Sequence, residues 1–89
     1  MRITDFEWDE ENIDHIARHR VEYEEVEEAC YNRPFILRGR GGLHLIHGRT
    51  DNGRYLFVVV RYRGKETARV ITARDMTDAE KRLCRERRG

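Results

Sequence analysis

Eighty-nine residues give room for a single domain, 1–89, with one small core. No apolar stretch approaches the roughly 20 residues of a membrane span, and the early acids Asp5, Glu7 and Asp9 exclude a secretory leader. The net charge of +1 conceals a partition, because residues 1–30 carry three arginines against eleven acids while residues 31–89 carry fifteen cations against six acids.

Residues 2–8 alternate, with Ile3, Asp5 and Glu7 interleaved with Thr4, Phe6 and Trp8, and predict a short first strand. Asp9 is a good N-cap for a helix over 10–19, with Glu10 and Glu11 in its first turn and Arg18-His19-Arg20 near its end. Ile13, Ile16 and Ala17 give it a narrow apolar stripe. A second helix is predicted over 22–31, lined by Tyr23, Val26, Ala29 and Cys30. Its other face carries Glu22, Glu24, Glu25, Glu27 and Glu28, read as a solvated surface or a dock for a basic partner. Pro34 closes that helix, since the residue before proline leaves the α region.

Phe35 to Leu37 resumes as a strand, and Arg38 to Gly42 makes a basic, glycine-rich turn. Leu43 to Gly48 is another strand, with Leu43, Leu45 and His47 on one face and His44 and Ile46 on the other. Thr50 to Gly53 is a turn signal that delivers the chain into an apolar strand, Tyr55 to Val60. Arg63-Gly64-Lys65 turns it into a partner strand from Glu66 to Arg74. Thr77 and Glu80 form a capping box for a final helix rich in cations: Lys81, Arg82, Arg85, Arg87 and Arg88. The order β-α-α-β-β-β-β-α predicts an α+β fold, with helices against one face of an antiparallel sheet of four to five strands. Cys30 and Cys84 read as reduced thiols of a cytoplasmic protein.

Nearly all the cations are arginines, whose planar fork suits bidentate phosphate contact and base stacking. A basic half on a small domain points to nucleic acid, and ion pairing to the chain's own acidic half is an equal alternative. No phosphate-binding loop, CxxC pair or HExxH motif is present, and no metal or cofactor is expected. His15 and His19, four apart, have metal-ligand spacing but no third ligand nearby, so they read as surface or core-edge histidines.

The more informative set is His44, His47, Arg49, Arg54, Arg61, Arg69 and Arg74, on or beside the sheet. RNA can be cut without a metal when its 2′-OH attacks the adjacent phosphate. That needs a base, an acid and cations for the crowded phosphorane. Histidine and arginine are suited to those roles, with Tyr62 or Glu66 as further acid or base groups. The other reading is that the arginines pair with acidic surface and the histidines cap strand edges.

Phe6-Glu-Trp-Asp9, Arg18-His19, Tyr23-Glu-Glu-Val26, Gly48-Arg49-Thr50, Gly53-Arg54 and Ala68-Arg-Val-Ile-Thr-Ala-Arg74, in that order, resemble the BrnT family over nearly the whole chain. The resemblance implies a RelE-like fold and a type II toxin that is a metal-independent endoribonuclease inhibiting translation. It also implies neutralisation by a DNA-binding, BrnA-like antitoxin. Arg69 and Arg74 map most clearly onto the family's arginines, then Arg54 and Arg49, and the resemblance gives these the phosphate work. Joined to the reading of residue types, the expected catalytic set is Arg74, Arg69, Arg54 and His47, and the expected RNA contacts are Arg49, His44, Arg61, Arg82 and Arg85. A homodimer or a toxin–antitoxin heteromer follows from the small core.

The chain departs from the family pattern at Arg20, where the family has glycine, at Thr72, where it has serine, and at Cys84, where it often has tyrosine. Arg69 and Arg74 are five apart, so an ideal strand sends them to opposite faces. A shared phosphate site requires a bulge or a strand end near Ala73. Two other functions fit the residues: a nucleic-acid-binding domain without turnover, and a protein-interaction module docking through the 22–28 and 81–88 helix faces.

Overall fold

The computed structural model describes residues 2–88; Met1, Gly89 and the Arg88 side chain, included in the single-domain and basic-helix expectations, lie outside the described residues. The elements follow the predicted order: β1 (Asp5–Glu7), α1 (Glu10–Ala17), α2 (Tyr23–Tyr31), β2 (Phe35–Arg38), β3 (Leu43–Arg49), β4 (Tyr55–Gly64), β5 (Thr67–Asp75) and α3 (Asp78–Arg88). Local chemistry accounts for most of the boundaries. Asp9 caps α1 by accepting from the Asn12 N–H at 3.1 Å, and the Asn12 side chain accepts from the Asp9 N–H at 2.8 Å. Thr77 and Glu80 exchange the same reciprocal bonds at the start of α3.

Helix α1 stops at Ala17, two residues before the predicted end. The Arg20 N–H donates to the Ala17 carbonyl and the Val21 N–H to that of Ile16, the paired closing bonds of a Schellman motif. Arg20 therefore takes the left-handed conformation, φ 59°, that glycine takes without a Cβ penalty. Ile16 and Val21 enter the core on either side of this turn, while Ile13 stays exposed.

The sheet order is β1-β5-β4-β3-β2. The four strands from β2 to β5 are antiparallel neighbours as expected, and β1 joins the free edge of β5 in parallel, so the sheet is mixed. Thr4 and Asp5 direct their N–H groups to the Glu66 carbonyl, which fixes the start of β1 at that edge. The turn between β4 and β5 lies at Lys65 and Glu66 rather than 63–65; both have positive φ, as a two-residue type I′ turn demands. The Tyr62 hydroxyl accepts from the Glu66 N–H at 2.8 Å, an acceptor inside the turn that supports this conformation.

One register shift sets the site. Val59 pairs with Thr72 but Val60 pairs with Val70, leaving Ile71 as an extra residue in β5. Ala68, Val70 and Ala73 consequently share the buried face, and Arg69, Thr72 and Arg74 share the other.

The core lies between the buried face and the first two helices: Ile16, Val21, Val26, Ala29, Ile46, Leu56, Val58, Val60, Ala68, Val70 and Ala73. A Cβ on Gly48 would overlap the Ala29 carbonyl, so glycine is what lets α2 lie this close to β3. The expectation that all helices cover one face needs correction. Helix α3 packs on the opposite face, over one end of β2 and β3, where its Cys84 thiol reaches the His47 carbonyl at 3.8 Å. Cys84 is fully buried there, in a position that no base could stack upon. The rest of that face, with Leu43, Leu45, Val59, Arg61 and Thr72, is left open between α3 and the far strand ends.

Candidate functional site

The three arginines singled out most strongly occupy three separate settings. Arg69 donates to Asp9 at 2.8 and 3.3 Å and to Glu7 and Glu11 at 3.4 Å each. Its hydrogen bond, with that of the Asn12 backbone, holds the Asp9 carboxyl below the usual carboxylate range. Arg74 grips Glu80 with two bonds of 2.8 and 3.0 Å and lies over the Phe57 ring at 4.4 Å. That guanidinium pulls the Glu80 carboxyl down as well. Arg54 donates to Asp75 at 2.7 Å, to Glu25 at 3.0 Å and to the Arg20 carbonyl at 2.8 Å, joining β4, β5, α2 and the end of α1. The bulge at Ile71 does place Arg69 and Arg74 on one face, but five residues of strand, roughly 15 Å, separate them and they turn to different carboxylates.

Between α1 and β5 a cleft of about 220 Å³ is lined by Glu11, Asn12, His15, Arg18, Arg69, Val70 and Ile71. Asn12 builds its floor: buried to 3 % exposure, its side-chain amide donates to the carbonyls of Glu7 and Val70 and ties α1 to the strand edge. His15 Nε2 lies 3.0 Å from Thr72 Oγ1, and the His15 and His19 rings are 5.7 Å apart, centroid to centroid. The cleft is thus lined by one imidazole, His15, two guanidinium groups, Arg18 and Arg69, and the Glu11 carboxylate, while His19 and the Thr72 hydroxyl meet His15 beside that lining. By sequence spacing alone, His15 and His19 suggest only a pair of metal ligands or surface groups. The available signal was their company: helix-borne Arg18 and His19, and an arginine two residues before the bulge. Among the described residues no group of three or more His, Cys, Asp or Glu is arranged to hold a metal ion.

Beneath α3, His47 is 3 % exposed, packed against Phe35 and Phe57 at ring separations of 5.5 and 5.2 Å, and its Nδ1 has no hydrogen-bond partner among the described residues. The helix would have to lift before this imidazole could touch a substrate. Beside it, the register pair Arg49 and Tyr55 meets α3, so that Arg49, Arg85 and Lys81 lie 4.6, 5.5 and 5.9 Å from the Tyr55 ring centre. Arg85 and then the charge of Arg49 hold the Tyr55 phenol below its usual range.

Of the remaining expected contacts, Arg61 stands opposite Arg69 in register but bonds to the Gly41 carbonyl at 2.7 Å. Arg82 is exposed on α3. His44 points to the opposite face, edge-on to Tyr62 at 6.3 Å. The structure therefore brings Arg49, Arg85, His47 and Arg74 to the α3 side, leaves Arg69 in the cleft, and puts Arg54 and His44 elsewhere. Tyr62 is occupied by the turn, and Tyr55 is the tyrosine that sequence reasoning missed.

The family whose sequence model matches residues 8–80 is described as "Ribonuclease toxin, BrnT, of type II toxin-antitoxin system". The crystal structure of the Brucella abortus ribonuclease toxin BrnT superposes with a TM-score of 0.66, covering 88 % of this chain and 100 % of that one at 16 % identity, a likeness that speaks for the fold. Comparison with curated protein sequences found no match.

Proposed function

The chain belongs to the family of BrnT, the ribonuclease toxin of type II toxin–antitoxin systems, and on that premise we propose that it is a metal-independent endoribonuclease that inhibits translation in the bacterial cytoplasm. One observation carries the mechanistic reading: His15 lines a cleft together with Arg18 and Arg69, and the His19 ring lies 5.7 Å from that of His15, beside the cleft lining. In-line attack forms the O2′–P bond as the P–O5′ bond breaks. One imidazole takes the 2′-OH proton and the other gives a proton to the departing O5′. Arg69 and Arg18 face the non-bridging oxygens, whose negative charge grows in the phosphorane. Thr72 holds the orientation of His15. Asp9, Glu7 and Glu11 hold the Arg69 fork, and because their carboxylate ends are open to solvent these pairs are weak enough to give way to a phosphate.

In this reading Arg74, through Glu80, positions α3, and Arg54 positions the junction of α2 with the β4 and β5 ends. RNA crosses the open sheet face, bordered by Arg61 on one side and by Arg82 and Arg85 of α3 on the other. A BrnA-like antitoxin is the partner we expect in the cell, in a heteromer that keeps RNA off this face. The reduced thiols Cys30 and Cys84 agree with a cytoplasmic setting, and no helix among the described residues is long and apolar enough to cross a membrane.

The test is labelled RNA incubated in EDTA with the wild type, His15→Ala, His19→Ala, Arg69→Ala and Arg74→Ala. Products ending in 2′,3′-cyclic phosphate, lost in the histidine and Arg69 variants, are the expected result. Cleavage that needs added zinc would return His15 and His19 to the role of metal ligands. Binding without cleavage would favour the second reading, a nucleic-acid or protein-docking domain. The carboxylate partners of Arg54, Arg69 and Arg74 are the observation on its side.

A further inference from the structure

Arg54, Arg69 and Arg74 are paired with carboxylates, but three cations on the α3 side are not. Arg49, Lys81 and Arg85 converge on the Tyr55 ring, at 4.6, 5.9 and 5.5 Å, and none of them makes a salt bridge among the described residues. Arg49 spends one nitrogen on a long 3.4 Å bond to the Gly53 carbonyl, and its Nε is buried with no hydrogen-bond partner among the described residues. Three like charges brought this close repel one another, and attraction to the face of one aromatic ring offsets only part of that repulsion. The arrangement has the charge and the spare donors of an anion site awaiting its counter-charge. It is assembled by tertiary structure: β3 contributes Arg49, β4 contributes Tyr55, and α3 contributes Lys81 and Arg85 from successive turns of one helix face. Lys81 and Arg85 lie beyond the residues that match the family, 8–80, so this half of the cluster is not part of what the match describes.

The geometry points to a phosphate subsite for single-stranded RNA, built from Arg49, Lys81 and Arg85 around Tyr55 and separate from the α1–β5 cleft. Thr72, at the cleft, is the register partner of Val59, and Tyr55 lies four residues further along β4 on the same face, about 13 Å away. A strand of RNA whose scissile phosphate occupies the cleft can therefore lay a neighbouring phosphate of its backbone on Tyr55. The consequence is a preference for RNA long enough to span both places. Guanidinium forks and an ammonium make such a site sensitive to backbone charge and indifferent to base identity. Only the identity of the ligand rests on the ribonuclease reading.

The experiment uses the full chain and a fluorescein-labelled 2′-O-methyl RNA oligonucleotide, which cannot supply the attacking 2′-OH, with affinity read by anisotropy across a salt series. Lys81→Gln/Arg85→Gln is expected to weaken binding at least about tenfold and to lower the slope of log K against log salt by about 0.7 for each phosphate that is no longer neutralised. Arg49→Gln, on a different element, should shift affinity the same way, which guards against a fault in the folding of α3. Arg2→Gln/Lys65→Gln removes equal charge from exposed positions away from Tyr55 and should leave affinity within about twofold. Equal weakening by both double variants, or by neither, overturns the subsite. So does unchanged RNA affinity with failed capture of the cognate antitoxin, which would assign the cluster to protein carboxylates. The expected binding pattern upholds the subsite whether or not the all-ribose oligonucleotide is cut, whereas uncut RNA removes the ribonuclease reading alone.

Discussion

In the α1–β5 cleft, Arg69 is gripped by Asp9, with Glu7 and Glu11 at 3.4 Å, whereas on the α3 side Arg49, Lys81 and Arg85 crowd one phenol with no carboxylate partner among the described residues. The same charge does different work in the two places. A guanidinium surrounded by carboxylates is held in position but projects little net field. An unpaired cluster attracts anions from a distance and holds them loosely. The pairing of regions suits a task divided between chemistry, which needs fixed donors, and capture of a polyanion, which needs open charge. The net charge of +1 conceals this contrast, because three of the cations stand together around Tyr55 with no salt bridge among the described residues.

The largest effect should come from the cleft. His15→Ala or His19→Ala is expected to lower the rate of RNA cleavage about 10²–10⁴-fold with little change in Tm, because both side chains are exposed. Cleavage at the wild-type rate by either variant would break the division at its catalytic end. Next, Arg69→Ala should cost about 10²-fold in rate, the scale of removing one donor to a growing oxyanion.

Arg74→Ala should act instead on stability. Its pair with Glu80 is two-pronged but 37 % and 21 % exposed at its ends, so a loss of about 1 kcal/mol, or roughly 4–8 °C in Tm, is expected by thermal denaturation. A rate loss matching that of Arg69→Ala, at unchanged Tm, would move Arg74 into the catalytic set.

Acid should separate the two regions further. The carboxyls of Glu80, Asp75 and Asp9 are held low in the folded chain by Arg74, Arg54 and Arg69. Their contribution is therefore complete above the ordinary carboxylate pKa of about 4 and is lost as pH falls through the lowered folded values. Urea unfolding from pH 6 down to pH 2 should show stability falling in that window, less steeply in Arg74→Ala. Oligonucleotide binding by the Tyr55 cluster should change less there, because, of these three carboxyls, only Asp75 also feels a cation of the cluster, Lys81.

The smallest effect is expected at the end of α1. Arg20→Gly relieves a left-handed residue and should raise stability by about 0.5–1 kcal/mol. A lower Tm would mean that the Arg20 side chain contributes more than its carbonyl, which Arg54 already uses.

Much of the fold was legible because its signals are local. Asp9, Thr77 with Glu80, and the Thr50–Gly53 turn each depend on groups within a few residues, so helix starts and hairpins could be read directly. Arginine-rich strands and the ordered motifs marked the family. The site was legible only in part. Arg69, Arg49 and Arg85 stand where an RNA reading can use them, but His15 and His19 looked like a metal spacing. Tyr55 looked like one more strand residue. His47 had no visible reason to be buried.

Residue pattern by itself determined the order of elements, the apolar run of β4 and the separation of acidic from basic segments. Backbone hydrogen bonding and apolar periodicity are short-range and leave their period in the chain. Tertiary structure decided which cation meets which acid. The extra residue at Ile71 turned Arg69 and Arg74 to one face, the parallel edge strand brought Glu7 and Asp9 to Arg69, and the packing of α3 on the open face closed over His47 while delivering Lys81 and Arg85 to Tyr55. Charge interactions act across space between groups up to 62 residues apart in sequence, so no local pattern encodes their partners.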